Sequence, residues 1–141
     1  MASIQELENA IVEDFALFDD WTEKYQYIIE LGQQLPEMAD ALKTEDRKIK
    51  GCQSSVWLSA SLRDGKVWFE ADSDSTFVKG EIALLLRVLS GQAPEDVLKS
   101  ELSFIDKIGL RQHLAMTRAN GLAAMIKQIK LYALGFQSQH I

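Results

Sequence analysis

Cysteine is almost absent from this chain. The 141 residues include one, Cys52. No internal disulfide can form, and neither a structural zinc site of the all-cysteine or paired cysteine–histidine kind nor an unaided iron–sulfur ligand set can be built. Histidine is nearly as scarce: His113 and His140 stand far apart, without metal-ligand spacing. No apolar run approaches the roughly 20 residues that a membrane-spanning helix needs. The opening MASIQELENAIVEDF is acidic and polar and has no signal-peptide core. Positive charge is also in deficit. A net charge of −6 argues against a broad nucleic-acid footprint. It suits a soluble protein that meets a basic patch on a partner. The chain therefore reads as cytoplasmic, with no membrane and no nucleic acid among its expected partners.

What is present is enough for a folded core. Hydrophobic residues make up 47% and charged residues 26%, values ordinary for a globular chain and far from those of a disordered one. The length suits one domain over 1–141. Ser3 and Glu6 form a capping-box signature, followed by Ile4, Leu7, Ile11, Phe15 and Phe18 at helical spacing. That helix is expected to end near Phe18. Asp20 and Glu23 open a second helix through Leu31, with Gly32 as its stop signal and Pro36 beyond. Residues 36–46 read as a loop with one helical turn, and Arg47–Lys50 as a candidate short strand.

Residues 55–62 and 67–72 alternate apolar and polar and flank Asp64-Gly65, a strong signal for a two-residue hairpin turn. Ser73 or Ser75 caps a third helix through Leu89, which stops at Ser90-Gly91. Pro94 suits the first turn of a short helix, another short one is expected near 104–108, and the last runs from about Asn120 to Phe136. This order predicts an α+β fold: a small antiparallel sheet packed with N- and C-terminal helices.

Cys52 is the one candidate nucleophile. A lone cysteine is often a small buried hydrophobe. Here it lies in a polar segment after Gly51, which permits a tight turn, and after three cations, Arg47, Lys48 and Lys50. Cationic neighbours favour the thiolate, the species that attacks another sulfur. Those cations could equally face solvent. A cysteine hydrolase or acyl transferase would need a base beside the thiol, and His113 is the candidate, since His140 adjoins the terminus. A dithiol oxidoreductase would need a second cysteine. A thiol with neither suits attack on an activated sulfur, such as a persulfide, supplied by another protein.

The segment Lys50-Gly51-Cys52-Gln53-Ser54-Ser55-Val56-Trp57-Leu58 resembles the Gly-Cys-Gln-Ser-x-Val-Trp signature of the SufE-like family of sulfur acceptors. The resemblance continues through Trp21–Tyr25, Ile28–Gly32, Asp72–Ser75, Val78–Gly80, Leu89–Pro94 and Thr117–Leu122, covering nearly the whole chain in order. It implies an α+β fold related to the scaffold proteins of cluster assembly (SufE/IscU-like). It further implies a protein, monomer or homodimer, that accepts sulfane sulfur on Cys52 from a cysteine desulfurase of the SufS or CsdA type. Such a protein stimulates that enzyme and relays sulfur toward an iron–sulfur scaffold or other acceptor. It would hold no cofactor of its own, since pyridoxal phosphate belongs to the desulfurase, and would not be a stand-alone catalyst. With one cysteine, the chain looks like a carrier and not a scaffold. A non-catalytic desulfurase-binding module is the remaining alternative.

Around Cys52 the resemblance marks Gly51, Gln53, Ser54, Trp57, Asp74 and Arg118 as supporting or docking positions. Each has a plainer reading. Trp57 either packs on the sheet or presents an aromatic for docking. Asp74 either complements a helix start or holds the cysteine loop. Arg118 is either a surface ion pair or a guanidinium beside the thiol. Asn120-Gly121 reads as a turn or helix start, Lys79 as a solvated charge, and Gly80 as a close contact, with the cysteine loop as candidate neighbour. Because a persulfide degrades in water and oxidant, the free protein is expected to tuck Cys52 against apolar cover and swing the 47–55 loop outward on docking.

Overall fold

A computed structural model of the chain describes residues 2–139, so His140 lies outside the described residues. Helix α1 (Ile4–Phe15) opens with the expected capping box: the Glu6 N–H donates to Ser3 Oγ at 3.1 Å, and the Ser3 N–H donates to Glu6 Oε1 at 3.3 Å. It ends three residues before Phe18, whose N–H closes a turn on the Phe15 carbonyl. Helix α2 (Trp21–Gln34) is capped by Asp20, which accepts the Glu23 N–H at 2.9 Å.

Gly32 does not stop α2. It is where α2 meets helix α3 (Thr76–Leu89). A Cβ on Gly32 would lie 2.6 Å from the Gly80 nitrogen, and one on Gly80 would lie 2.7 Å from the Ile28 carbonyl carbon. Both distances are inside van der Waals contact, so both positions need a residue without a side chain. Gly80 thus packs against α2 and not against the cysteine loop. Lys79 beside it is not a lone solvated charge, since its Nζ pairs with Asp72 at 3.4 Å.

Strands β1 (Val56–Arg63) and β2 (Lys66–Ser73) pair antiparallel, from Val56 opposite Ser73 to Arg63 opposite Lys66. Asp64 and Gly65 have φ of 54° and 76°, the two positive angles that this tight turn requires. The candidate strand at 47–50 reduces to a single bridge, Lys48 to Trp57, preceded by a 3-10 turn at Glu45–Arg47. The 36–46 stretch carries a 3-10 turn at Asp40–Leu42, and a second, Glu45–Arg47, begins at its end. Ser75, not Ser73, caps α3, accepting the Val78 N–H.

Two short helices follow, α4 (Pro94–Lys99) and α5 (Phe104–Lys107), then the long α6 (Met116–Gln139). Helix α6 begins four residues before Asn120, so Asn120 and Gly121 lie within its first turns. One apolar core joins all these parts. The inner face of the hairpin contributes Val56, Leu58, Val67, Phe69 and Ala71. Ile82 and Leu85 of α3 and Met125 and Ile129 of α6 cover it. The hairpin, α3 and α6 therefore converge where β1 begins, immediately after the cysteine loop.

Gly80→Ala is expected to destabilise the protein by about 3 kcal/mol, the upper range for forcing a methyl into a packed contact. Urea unfolding should show a lower midpoint with an unchanged m-value.

Candidate functional site

The stretch from Lys50 to Ser54 is fastened at both ends. At one end the Ile49 N–H donates to the Val56 carbonyl at 2.7 Å. At the other, the Ser55 N–H donates to Asp74 Oδ1 at 3.1 Å, and the Ser73 hydroxyl donates to the Ser55 carbonyl at 2.8 Å. The Asp74 carboxylate therefore holds the end of the cysteine loop, while the helix cap falls to Ser75. Gly51, at φ 93°, makes the bend between the fastenings.

This bend turns the half-buried Cys52 inward against α6. Its Sγ lies 3.6 Å from the Gly121 carbonyl, within reach of a weak S–H donation. A Cβ on Gly121 would stand 3.7 Å from Sγ, in ordinary van der Waals contact, so the α6 backbone lies close beside the sulfur. The thiol faces a cavity of about 80 Å³. Apolar cover comes from Val56, Val78, Leu122 and Met125, and polar groups from Gln53, Ser54, Glu81, Thr117 and Arg118.

Glu81 was not among the candidates. It is 2% exposed, and its Oε2 has no hydrogen-bond partner among the described residues. Burial pushes its carboxyl up to about 8, with the Arg118 charge acting in the opposite direction. The signal was in the sequence: Glu81 interrupts the apolar stripe of Phe77, Leu84, Leu85 and Val88 on α3. A charge on a buried helical stripe is expensive unless something offsets it.

Arg118 is exposed, in the first turns of α6, and reaches over the cavity edge. It donates to the Tyr25 hydroxyl at 2.9 Å, and its guanidinium carbon lies 4.6 Å from the centre of the Phe77 ring. Tyr25 in turn stacks on Phe77 at 4.6 Å. The cations before Cys52 do not play the part expected of them. Arg47 donates to Thr44 Oγ1 at 3.2 Å, Lys48 pairs with Glu45 at 3.9 Å, and Lys50 is exposed. The Cys52 thiol is pushed up by burial and then by the Glu81 charge, so in this closed arrangement the thiol and not the thiolate is favoured.

Two other residues stand apart. Trp57 is half-buried on the outer face of the hairpin, with Lys43 Nζ 5.6 Å from its ring centre, and does not line the cavity. His113 stacks on Trp21 at 4.2 Å, and its Nδ1 lies 2.9 Å from the Gly109 carbonyl. It lines an open groove along α2, of about 820 Å³, which does not include Cys52. The described residues hold no cluster of three or more metal-ligating side chains and no helix long and apolar enough to cross a membrane.

An α+β fold with a lone thiol turned into a small cavity between a hairpin and two helices defines a class, and comparison with known proteins gives it a family. The SufE family, described as an Fe-S metabolism associated domain, matches residues 9–133. An uncharacterised SufE-like protein of Rhizobium meliloti (strain 1021) is 41% identical over 130 residues, 89% of this chain and 93% of that protein. Another, from Rhizobium etli, is 38% identical over 135 residues, 92% of this chain and 88% of that one. The solution structure of a hypothetical protein from Thermus thermophilus superposes with a TM-score of 0.77, covering 94% of this chain and 96% of that one. At 22% identity, that likeness shows a shared fold. The chain belongs to the SufE family, and so to iron–sulfur metabolism.

Folded, Glu81 keeps its proton up to about pH 8; unfolded, it loses it near about 4.3. Between those values the folded state binds more protons, so this contribution is complete below the window and is lost as pH rises through it. Wild type should lose up to about 1.4 kcal/mol of stability per pH unit across this range relative to Glu81→Gln. Parallel urea titrations from pH 4.5 to 8.5 would measure the difference.

Proposed function

We propose that this protein is a sulfur acceptor that takes sulfane sulfur onto Cys52 from a PLP-dependent cysteine desulfurase and relays it toward iron–sulfur cluster assembly. The observation that carries the reading is the placement of the only thiol. It sits on a bend between two backbone fastenings and faces a small, mostly covered cavity. Against the roughly 30 Å³ that one water occupies in the liquid, a cavity of about 80 Å³ has room for one added sulfur atom. Family membership and the acidic net charge of −6 agree with docking on a larger, complementary enzyme.

The partner, of the SufS or CsdA type, presents a persulfide on its own cysteine. Cys52 loses its proton, and its Sγ attacks the outer sulfur. A new S–S bond forms at Cys52, the partner's S–S bond breaks, and the partner's thiolate leaves and takes up a proton. Thiol plus persulfide give persulfide plus thiol, with no oxidant or reductant. Draining the partner's persulfide is how the acceptor would stimulate desulfurase turnover.

Closed, the thiol is disfavoured as a nucleophile, because burial opposes its ionisation. Transfer then requires Lys50–Ser54 to swing outward, bringing Cys52 into water and toward the partner. Arg118, exposed at the cavity edge, is placed to meet the anionic sulfur as it leaves or returns. Gln53 and Ser54 move with Cys52, and Asp74 sets how far the loop opens. A cysteine hydrolase reading has no support in this geometry, because His113 is engaged elsewhere.

Intact-protein mass spectrometry after incubation with a desulfurase, PLP and cysteine should show a gain of about 32 Da, one sulfur atom on the thiol. Dithiothreitol should remove it, and Cys52→Ser should never show it. His113→Ala should gain the sulfur as wild type does, whereas a hydrolase would be inactivated. A variant Cys52→Ser that stimulates the desulfurase fully would mean a binding module and not an acceptor. Asp74→Ala should free Ser55 and raise the alkylation rate of Cys52 by iodoacetamide about tenfold, equivalent to one hydrogen bond to a charged group.

A further inference from the structure

Glu81 has no part in the transfer step, yet it occupies a costly position for a carboxyl. It is 2% exposed, lines the same cavity as Cys52, and leaves Oε2 without a partner among the described residues. An unpaired buried polar group costs about 1–3 kcal/mol. A leucine at this point of the α3 stripe would avoid that cost.

The groups that act on it are few. Cys52 faces it from the loop, and Arg118 from α6. The Tyr25 hydroxyl of α2 is engaged by Arg118 and does not line the cavity. On α3 itself, Lys79 turns away to Asp72. A carboxyl, a sulfur and a guanidinium thus share one small space. In the unloaded protein, the thiol offers Glu81 little. A thiol that has gained a sulfur differs: it is longer, reaches deeper into the cavity, and is more acidic than its parent.

We infer that Glu81 is a positioning residue for the loaded state: as a neutral acid it donates an O–H hydrogen bond to the anionic outer sulfur of a Cys52 persulfide folded into the cavity. This deepens the acceptor reading and rests on it. One proton is shared between the carboxyl and the outer sulfur, and Arg118 balances the single negative charge that remains. The cavity then holds its cargo away from water and from small thiols until a downstream acceptor opens the loop. Because the bond needs the acid form, retention weakens once pH rises beyond about 8, the value for the unloaded protein, which a neighbouring persulfide anion pushes further up; once ionised, Glu81 repels the persulfide.

The test compares wild type, Glu81→Gln and Glu81→Leu, each loaded in two ways: by desulfurase with cysteine, and by inorganic polysulfide, which needs no partner. The loaded proteins are challenged with β-mercaptoethanol, and loss of the added sulfur is followed by mass spectrometry. At pH 7, Glu81→Leu should lose sulfur about tenfold faster than wild type, the factor that one hydrogen bond to a charged group represents. Glu81→Gln, which keeps a neutral donor, should retain it nearly as wild type does. At alkaline pH, once Glu81 has ionised, wild type should fall to the leucine rate, while Glu81→Gln holds. Thermal melts of Glu81→Leu should show a fold at least as stable as wild type, so that faster loss cannot be ascribed to unfolding. Equal rates for all three proteins, or the same pH dependence for wild type and Glu81→Gln, would overturn the inference. Loading by polysulfide but not by desulfurase would count against the acceptor reading instead.

Discussion

The backbone contact between α2 and α3 sets the geometry of everything around Cys52. Gly32 and Gly80 let the two helices approach until a single methyl would collide. That approach fixes the rotation of α3 about its axis, and with it the direction of Phe77 and Glu81. It also brings Tyr25 of α2 onto the Phe77 ring, and the Tyr25 hydroxyl anchors Arg118. A contact made by two residues without side chains thus decides where a guanidinium and a carboxyl stand relative to the thiol.

A second constraint ties the hairpin to this helix pair. Asp72, 3% exposed, stands near the end of β2 among several donors. Burial works against its charge, but the Ser73 N–H, Lys43, the Met38 N–H and Lys79 outweigh that, and its carboxyl stays below the usual range. Lys79 belongs to α3, and Lys43 and Met38 to the segment before the cysteine loop, so one carboxylate joins three parts of the chain. Immediately after it, Ser73, Asp74 and Ser75 take on the loop end and the helix start. The cysteine loop is thus strung between firm supports.

Most of this fold was legible because its signals are local. A capping box, an Asp-Gly turn between alternating strands, and a proline at a helix start each act within a few residues. The departures arise from contacts distant in sequence. Gly32 reads as a helix stop, since nothing near it reveals Gly80. The start of α6 reads late because Asn120-Gly121 has turn chemistry, whereas both lie inside the helix, with the Gly121 carbonyl 3.6 Å from Cys52 Sγ. The cations before Cys52 read as thiolate stabilisers, but adjacency in sequence did not become adjacency to sulfur: Thr44 and Glu45 engage two of them. Cys52, Gln53, Ser54 and Arg118 do meet at one cavity, while Trp57 lies on the outer face of the hairpin.

Glu81 is the instructive omission, and Glu8 shows what its meaning depends on. Glu8 is also buried, at 4% exposed, with Oε1 unpartnered among the described residues. Burial raises its pKa as well, yet the Ser103 hydroxyl and the Lys107 charge act against that shift. It lines a groove with Ser100–Ser103 that contains no cysteine. A buried carboxyl on an apolar stripe is therefore not by itself a mark of chemistry, for Glu8 and Glu81 are both examples among the described residues. What separates Glu81 is its neighbour: it shares a small cavity with the only thiol in the chain, and its charge bears directly on whether that sulfur can ionise. The functional weight rests on the pairing of the two groups, which neither residue's type, burial or place in its own helix or loop would disclose alone.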